Sequence, residues 1–309
     1  MIELHELTGR LASWAPTEDP EANYGRIMTH PEFASAMRAL FRGKARAVTE
    51  NRLLIGLFRD AGHYLATLWA LSLDAEGRLT LPQLKSVCSA SGLLSPGRSR
   101  ALLIYLQHVG YVVCNSPDRG AMPALYAATP RFLEDWNRHL CDGLRAASPI
   151  EPRLRALIAR MESNHEVARL FARYHGDTIL RAICAVPIVP SPPLHQVFHE
   201  RAGGGMVFSL LMSETGTDWK APIIHSIADL AAQSGVSRTH IKRMFRDAER
   251  EDLLRRDGHH WAWSERARHH ISFLCALEFA VLLSTAATTV FAASFDKGVT
   301  ADRSPALPL

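Results

Sequence analysis

The chain has 309 residues, 47% of them hydrophobic and 21% charged, as is usual for a folded soluble protein. Its formal net charge of +4 is too small to establish nucleic-acid binding by itself, although fifteen histidines add positive charge at lower pH. Five scattered cysteines lack the spacing of a zinc or redox motif, and residues 1–6 lack the features of a signal peptide. These observations argue against a disulfide scaffold and predict a cytoplasmic location.

The first 58 residues predict an N-terminal helical region. Pro16 and Pro20 interrupt any early helix. Apolar residues recur at spacings of three and four between residues 33 and 41, which indicates a helix, and Thr49 is a residue type that caps the start of another. Tyr64, Trp69, Trp136 and Tyr174 are expected in the core; the alternative is that they line a pocket for an effector of unknown identity.

Two stretches of the chain resemble each other. In residues 59–146, the segment 84–93 contains a glycine at Gly92 and is followed by Ser95; in residues 201–298, the segment 227–236 contains Gly235 and is followed by Ser237. Leu94 is the only insertion that the overlay requires. We call residues 59–146 the first repeat and residues 201–298 the second repeat.

Physical chemistry explains the shared pattern. A glycine can take the left-handed conformation that ends one helix sharply, and a serine soon afterwards can cap the next. The second helix of each pair has one apolar face. Its other face carries cations and hydrogen-bonding groups, as reading of a DNA major groove requires. The candidate DNA-binding residues on these helices are Ser95, Arg98, Ser99, Arg100, Ser237, Arg238, Thr239, His240, Lys242, Arg243 and Arg246.

Strand-like residues follow each of these helices and predict a β-hairpin. The first repeat has a turn-forming stretch that contains Arg119, and the second has a turn at Asp257-Gly258. Arg255, Arg256 and His259 would place positive charge on the second hairpin, where minor-groove or phosphate contacts are expected. Trp261 and Trp263 are predicted to pack into the core, although ligand stacking is an alternative.

The order helix, turn, helix, hairpin resembles the winged helix-turn-helix domains of bacterial transcription regulators, and most closely the MarR type. The resemblance covers residues 60–146 and 204–293. It implies a mainly α-helical fold with small β-hairpin wings, a recognition helix and basic wing in each repeat, and long flanking helices that form a dimer. A MarR-type chain normally has one such unit, so the resemblance implies two fused units, which form either an internal pseudo-dimer or the halves of a larger homodimer. The resemblance thus implies a transcription regulator that binds double-stranded DNA as a homodimer.

The remaining segments connect or extend the repeats. Residues 147–200 are predicted to be a helical connector that ends in a Pro-rich linker with four prolines between residues 187 and 193. Residues 271–295 contain no Lys or Arg and are long enough to span a bilayer. Glu278 and several hydroxyl residues favour a buried helix over a membrane anchor. Residues 299–309 are predicted to be a disordered tail.

Other functional classes have weaker support in the sequence. No Gly-rich phosphate loop, nucleophile elbow or zinc-protease motif is present, so we expect no enzyme, no cofactor and no metal. The alternatives left open are a protein-interaction scaffold or anti-regulator without DNA binding, a regulator tethered to a membrane by residues 271–295, and a replication initiator.

Overall fold

The computed structural model describes residues 11–15, 20–115, 123–185, 192–215, 219, 222–258 and 260–301. Within these ranges the chain is mainly helical, with two small antiparallel hairpins. The predicted fold class is confirmed at this level of detail.

The N-terminal region consists of a short 3-10 turn and three helices: Ala12–Trp14, α1 (Pro20–Met28), α2 (Phe33–Glu50) and α3 (Leu54–Leu57). The prediction that Thr49 starts a helix is wrong. Thr49 lies in the last turn of α2, where its hydroxyl donates to the Ala45 carbonyl at 2.9 Å. The next long helix is instead capped by Asp60, whose carboxylate accepts from the His63 amide.

The first repeat contains four helices and one hairpin: α4 (Ala61–Ala75), α5 (Leu81–Ser91), α6 (Pro96–His108), β1 (Val112–Cys114), β2 (Tyr126–Ala128) and α7 (Pro130–Ala147). The predicted turn is present. Gly92 is left-handed at φ 69°, and the Ser95 hydroxyl caps α6 by accepting from the Arg98 amide. Thr80, just before α5, forms an additional antiparallel bridge with Leu125 that the sequence did not predict.

The second repeat has the same order of elements: α11 (Gly204–Glu214), α12 (Ile227–Ser234), α13 (Arg238–Arg250), β3 (Leu254–Asp257), β4 (His260–Trp263) and α14 (Glu265–Ala301). Gly235 is left-handed at φ 67°, and Ile223 bridges to Trp261 as Thr80 does to Leu125 in the first repeat. Asp257 pairs with His260, so β3 includes the first residue of the predicted Asp257-Gly258 turn.

The connector between the repeats contains the helices α8 (Leu154–Ser163), α9 (His165–Ala185) and α10 (Pro192–Leu194), followed by a π-helical turn, His195–His199. The predicted helical connector is interrupted at Asn164, whose side-chain carbonyl accepts from the Glu166 amide. Residues 186–191 of the predicted Pro-rich linker lie outside the described residues, and the domain boundaries stay predictions.

The described parts of both repeats share one hydrophobic core with the N-terminal region. Helix α2 packs against α11, with the rings of Phe41 and Phe208 edge to face at 5.2 Å. Helix α9 packs between α4 and α14. The first helix of each repeat is therefore held by helices from other parts of the chain.

Helix α14 runs to Ala301, three residues into the predicted disordered tail 299–309, and residues 302–309 lie outside the described residues. Its segment Glu265–Ser294 is long and apolar enough to cross a membrane, by length and composition alone. Half of the most apolar stretch is buried within the structure, and Thr285 and Thr289 are both fully buried. The cytoplasmic location remains a prediction.

Candidate nucleic-acid interface

Helix α13 of the second repeat is fixed by local interactions at its start. The left-handed Gly235 ends α12, and the Ser237 hydroxyl accepts a hydrogen bond from the His240 amide at 3.2 Å. This cap satisfies one of the amide groups that every helix leaves unpaired at its N-terminus. Arg238 and Thr239, immediately after the cap, are exposed.

The two faces of α13 differ completely in chemistry. Its apolar face is buried against the repeat and consists of Ile241, Met244, Phe245 and Ala248, as predicted. The opposite face exposes four cations: Arg238, Lys242, Arg243 and Arg246. None of these four forms an ion pair with another described residue. Their charges are therefore available to an anionic partner.

One carboxylate near the end of α13, Asp247, is paired within the protein. Asp247 accepts from Arg201 at 2.7 Å and lies 3.2 Å from Arg250. The hydrogen bond from Arg201 lowers the pKa of Asp247, which keeps this carboxylate ionised and paired. Arg201 and Asp247 border an open cleft of about 470 Å³ with His240, Arg243 and Arg246. The sequence did not predict Arg201, because its partner is 46 positions away in the chain.

Of the two arginines predicted to contact DNA from the hairpin of the second repeat, Arg256 is the one without an ion pair to another described residue. Arg255 forms an ion pair with Asp252 at 2.9 Å, so its charge is balanced within the protein. Arg256 lies over the Trp261 ring at 5.3 Å, and that ring packs edge to face on Phe245 of α13 at 5.1 Å. His259 lies outside the described residues. The contact through Trp261 therefore positions Arg256 relative to α13.

The predicted contacts of the first repeat are only partly available. Ser99 is 0% exposed and its hydroxyl donates to the Ser95 carbonyl, so the prediction that Ser99 contacts DNA is wrong. Arg98 is bound at 2.6 Å by Asp60, a buried carboxylate that needs this partner. Arg100 is exposed, and Arg119 lies outside the described residues.

Counting from the capping serines shows how the two helices differ. The four cationic positions of α13 correspond in α6 to Pro96, Arg100, Ala101 and Ile104. Three of the four cations are therefore missing from α6. Ile104 is 54% exposed and Val113 on the adjacent strand is 51% exposed, so the first repeat presents apolar side chains where the second presents charge.

Trp263 is buried and donates from its indole nitrogen to the Thr215 hydroxyl at 3.0 Å, while Trp261 is partly buried against the core. The predicted packing role of both tryptophans is confirmed. Among the residues described, no group of three or more His, Cys, Asp or Glu could hold a metal ion. No family model, no curated protein and no solved structure matches this chain.

Proposed function

We propose that the chain is a DNA-binding transcription regulator, that both repeats are winged helix-turn-helix units, and that the second repeat reads duplex DNA. The repeated order of elements supports the unit assignment, including the extra bridge before each helix pair. The observation that carries the functional proposal is the face of α13 with four exposed cations, none of which forms an ion pair with a described residue.

The proposed mechanism has an electrostatic part and a reading part. Lys242 and the arginines of α13 neutralise phosphates and release counterions, which makes binding depend on salt. Arginines near the start of the helix can also donate two hydrogen bonds to guanine in the major groove. Arg256 on the hairpin adds a contact beside the helix. A homodimer would present two such surfaces to two half-sites.

Fluorescence anisotropy with a labelled duplex tests this proposal. The variant Arg238→Ala/Lys242→Ala/Arg243→Ala is compared with the wild type between 50 mM and 200 mM salt. Each lost phosphate contact should flatten the plot of log affinity against log salt by about 0.9, and each lost base contact should cost about 1–3 kcal/mol.

A matched control removes the same charge from another surface. The variant Arg131→Ala/Arg138→Ala/Arg155→Ala changes three exposed arginines on α7 and α8. This control should bind like the wild type, since the proposal assigns binding to one face and not to net charge. Wild-type affinity and salt dependence in the α13 variant would refute the proposal.

A second candidate function concerns the first repeat, which we propose contacts protein. Exposed Ile104 and Val113 support this, because the first repeat presents these apolar side chains where the second presents charge. The expected homodimer is the simplest such partner. Sedimentation analysis should show that Ile104→Glu weakens self-association, whereas Gln107→Glu, at an exposed position of the same helix, should not. A wild-type chain that is monomeric at all concentrations would contradict the homodimer.

A further inference from the structure

A cavity of about 310 Å³ lies where the two repeats approach each other. Its walls come from α2, α4, α7, α9, α11, α14 and the π-helical turn, so it touches the first helix of both repeats. Most of the lining is apolar and includes Phe41, Phe58, Leu65, Ile179, Met206 and Phe208. This volume falls at the lower end of the range of about 300–1,000 Å³ that small-molecule sites occupy.

A few polar groups interrupt the apolar lining. The His139 ring accepts or donates through Nε2 at 3.0 Å from the Tyr64 hydroxyl. Its other ring nitrogen, Nδ1, is buried and has no hydrogen-bond partner among the described residues. A buried polar atom without a partner is unfavourable, and a ligand group that bonds to it would offset part of that cost.

The same hydrogen bond indicates which ligand group suits His139. In a neutral imidazole one nitrogen donates and the other accepts, so the role of Nδ1 depends on the direction of the bond between Tyr64 and Nε2. A hydroxyl group can either donate or accept. It can therefore bond to Nδ1 in both arrangements, which a carbonyl or a carboxylate cannot do.

The charges around the cavity cancel. The Lys44 ammonium donates to the Glu278 carboxylate at 2.7 Å across its wall, and Asp60 is neutralised by Arg98. Burial, with a smaller effect of Lys44, lowers the pKa of His139 and of His175 to about 3, so both rings are neutral at pH 7. A ligand with a net charge would have to enter an apolar space without an unpaired counterion, which is costly.

We propose that this cavity is a binding site for an uncharged, mainly apolar small molecule that carries a hydroxyl group next to His139 Nδ1. Of the four aromatic residues considered for an effector pocket, Tyr64 lines this site, and Trp69, Trp136 and Tyr174 do not. The site stands independently of the proposed DNA binding. Because α4 and α11 both line it, an occupant also contacts the first helix of each repeat.

Fluorescent probes test the site on the full chain. N-phenyl-1-naphthylamine is uncharged and apolar, and 1-anilinonaphthalene-8-sulfonate has the same skeleton with an added sulfonate. The neutral probe should bind saturably with one molecule per chain, at least tenfold more tightly than the anionic probe. Absence of saturable binding of the neutral probe, or equal affinity for both probes, would overturn the proposal.

Cavity-filling variants locate the bound probe. Ala182 lines the cavity and Cys184, two residues later on α9, is exposed and does not. Ala182→Phe should weaken binding of the neutral probe at least tenfold, whereas the matched control Cys184→Phe should not change it. Leu65→Phe on α4 provides a second filled cavity if Ala182→Phe does not fold. Unchanged binding in a folded cavity variant would place the probe elsewhere and contradict the proposal.

A pair of competitors tests the hydrogen bond. 4-Propylphenol and 4-propyltoluene are similar in shape, but only the phenol has a hydroxyl group. The phenol should displace the neutral probe at least threefold more effectively from the wild type, and this preference should disappear in His139→Phe. Equal displacement by both competitors in the wild type would refute the role of His139.

Discussion

Acid should destabilise this protein through two buried histidines. His139 and His175 are only 6% and 4% exposed, and burial lowers the pKa of each ring from 6.5 to about 3. Between pH 6.5 and pH 3 the unfolded chain binds protons at these sites that the folded chain does not bind. The free energy of unfolding therefore falls as the pH falls through this window, and the contribution is fully present above pH 6.5.

The magnitude follows from the two pKa values. Each histidine lowers the free energy of unfolding by about 1.4 kcal/mol for every pH unit below 6.5. Lowering the pH from 7 to 5 should thus cost about 2 kcal/mol for each ring and about 4 kcal/mol for the pair. A cost of that size is a large fraction of the stability of an ordinary domain, about 5–15 kcal/mol.

Urea unfolding followed by circular dichroism at several pH values measures this cost. His139→Gln retains a side-chain atom near Nε2, which bonds to Tyr64, and His175→Asn retains one near Nδ1, which lies 3.2 Å from Thr285. The double variant should lose about 4 kcal/mol less than the wild type between pH 7 and pH 5. His108→Gln changes an exposed ring and serves as the control. Equal losses in the wild type and the double variant would refute the reasoning.

Three further substitutions test individual contacts in thermal or urea unfolding. Ser237→Ala removes the cap of α13 and should cost about 1 kcal/mol, whereas Ser237→Asn should retain most of it; equal stability of the two variants would contradict the cap. A Cβ at Gly204 would lie 2.5 Å from the Phe198 carbonyl oxygen, so Gly204→Ala should lower the free energy of unfolding by more than about 1 kcal/mol. Unchanged stability would show that the π-helical turn can move away from the added methyl group. Glu278→Gln leaves Lys44 without its partly buried counterion and should lower the free energy of unfolding by about 1–3 kcal/mol. The double variant Glu278→Gln/Lys44→Met should restore most of this stability. If it does not, the ion pair is not the source of the loss.

The local features of both repeats could be predicted because neighbouring residues determine them. Gly92 and Gly235 take the left-handed conformation, and Ser95 and Ser237 cap the following helices, as the sequence indicated. The buried face of α13 follows directly from apolar spacings of three and four. Such patterns depend on a few consecutive residues and need no knowledge of the rest of the chain.

The sequence could not show which of the candidate arginines are bound in ion pairs, since most such pairs join distant parts of the chain. Arg98 looked like a free cation, but Asp60, 38 positions earlier, binds it. Arg255 is likewise bound by Asp252, although here the partner is close enough in sequence to have been considered. The cavity is less predictable still, because seven separate elements form its walls.

The two repeats separate the residues that form the fold from those that would bind DNA. Both copies keep the glycine turn, the serine cap, the buried helix face and the hairpin, all of which contribute to packing. The exposed cations contribute little to packing, so α6 carries Ala101 and Ile104 where α13 carries Arg243 and Arg246, and both are serine-capped helices of 13 residues. A shared fold therefore gives no reason to assign DNA binding to both repeats. The exposed charge of α13 is the reason we propose DNA binding for the second repeat, whereas Arg98, through its ion pair with Asp60, contributes to the structure of the first.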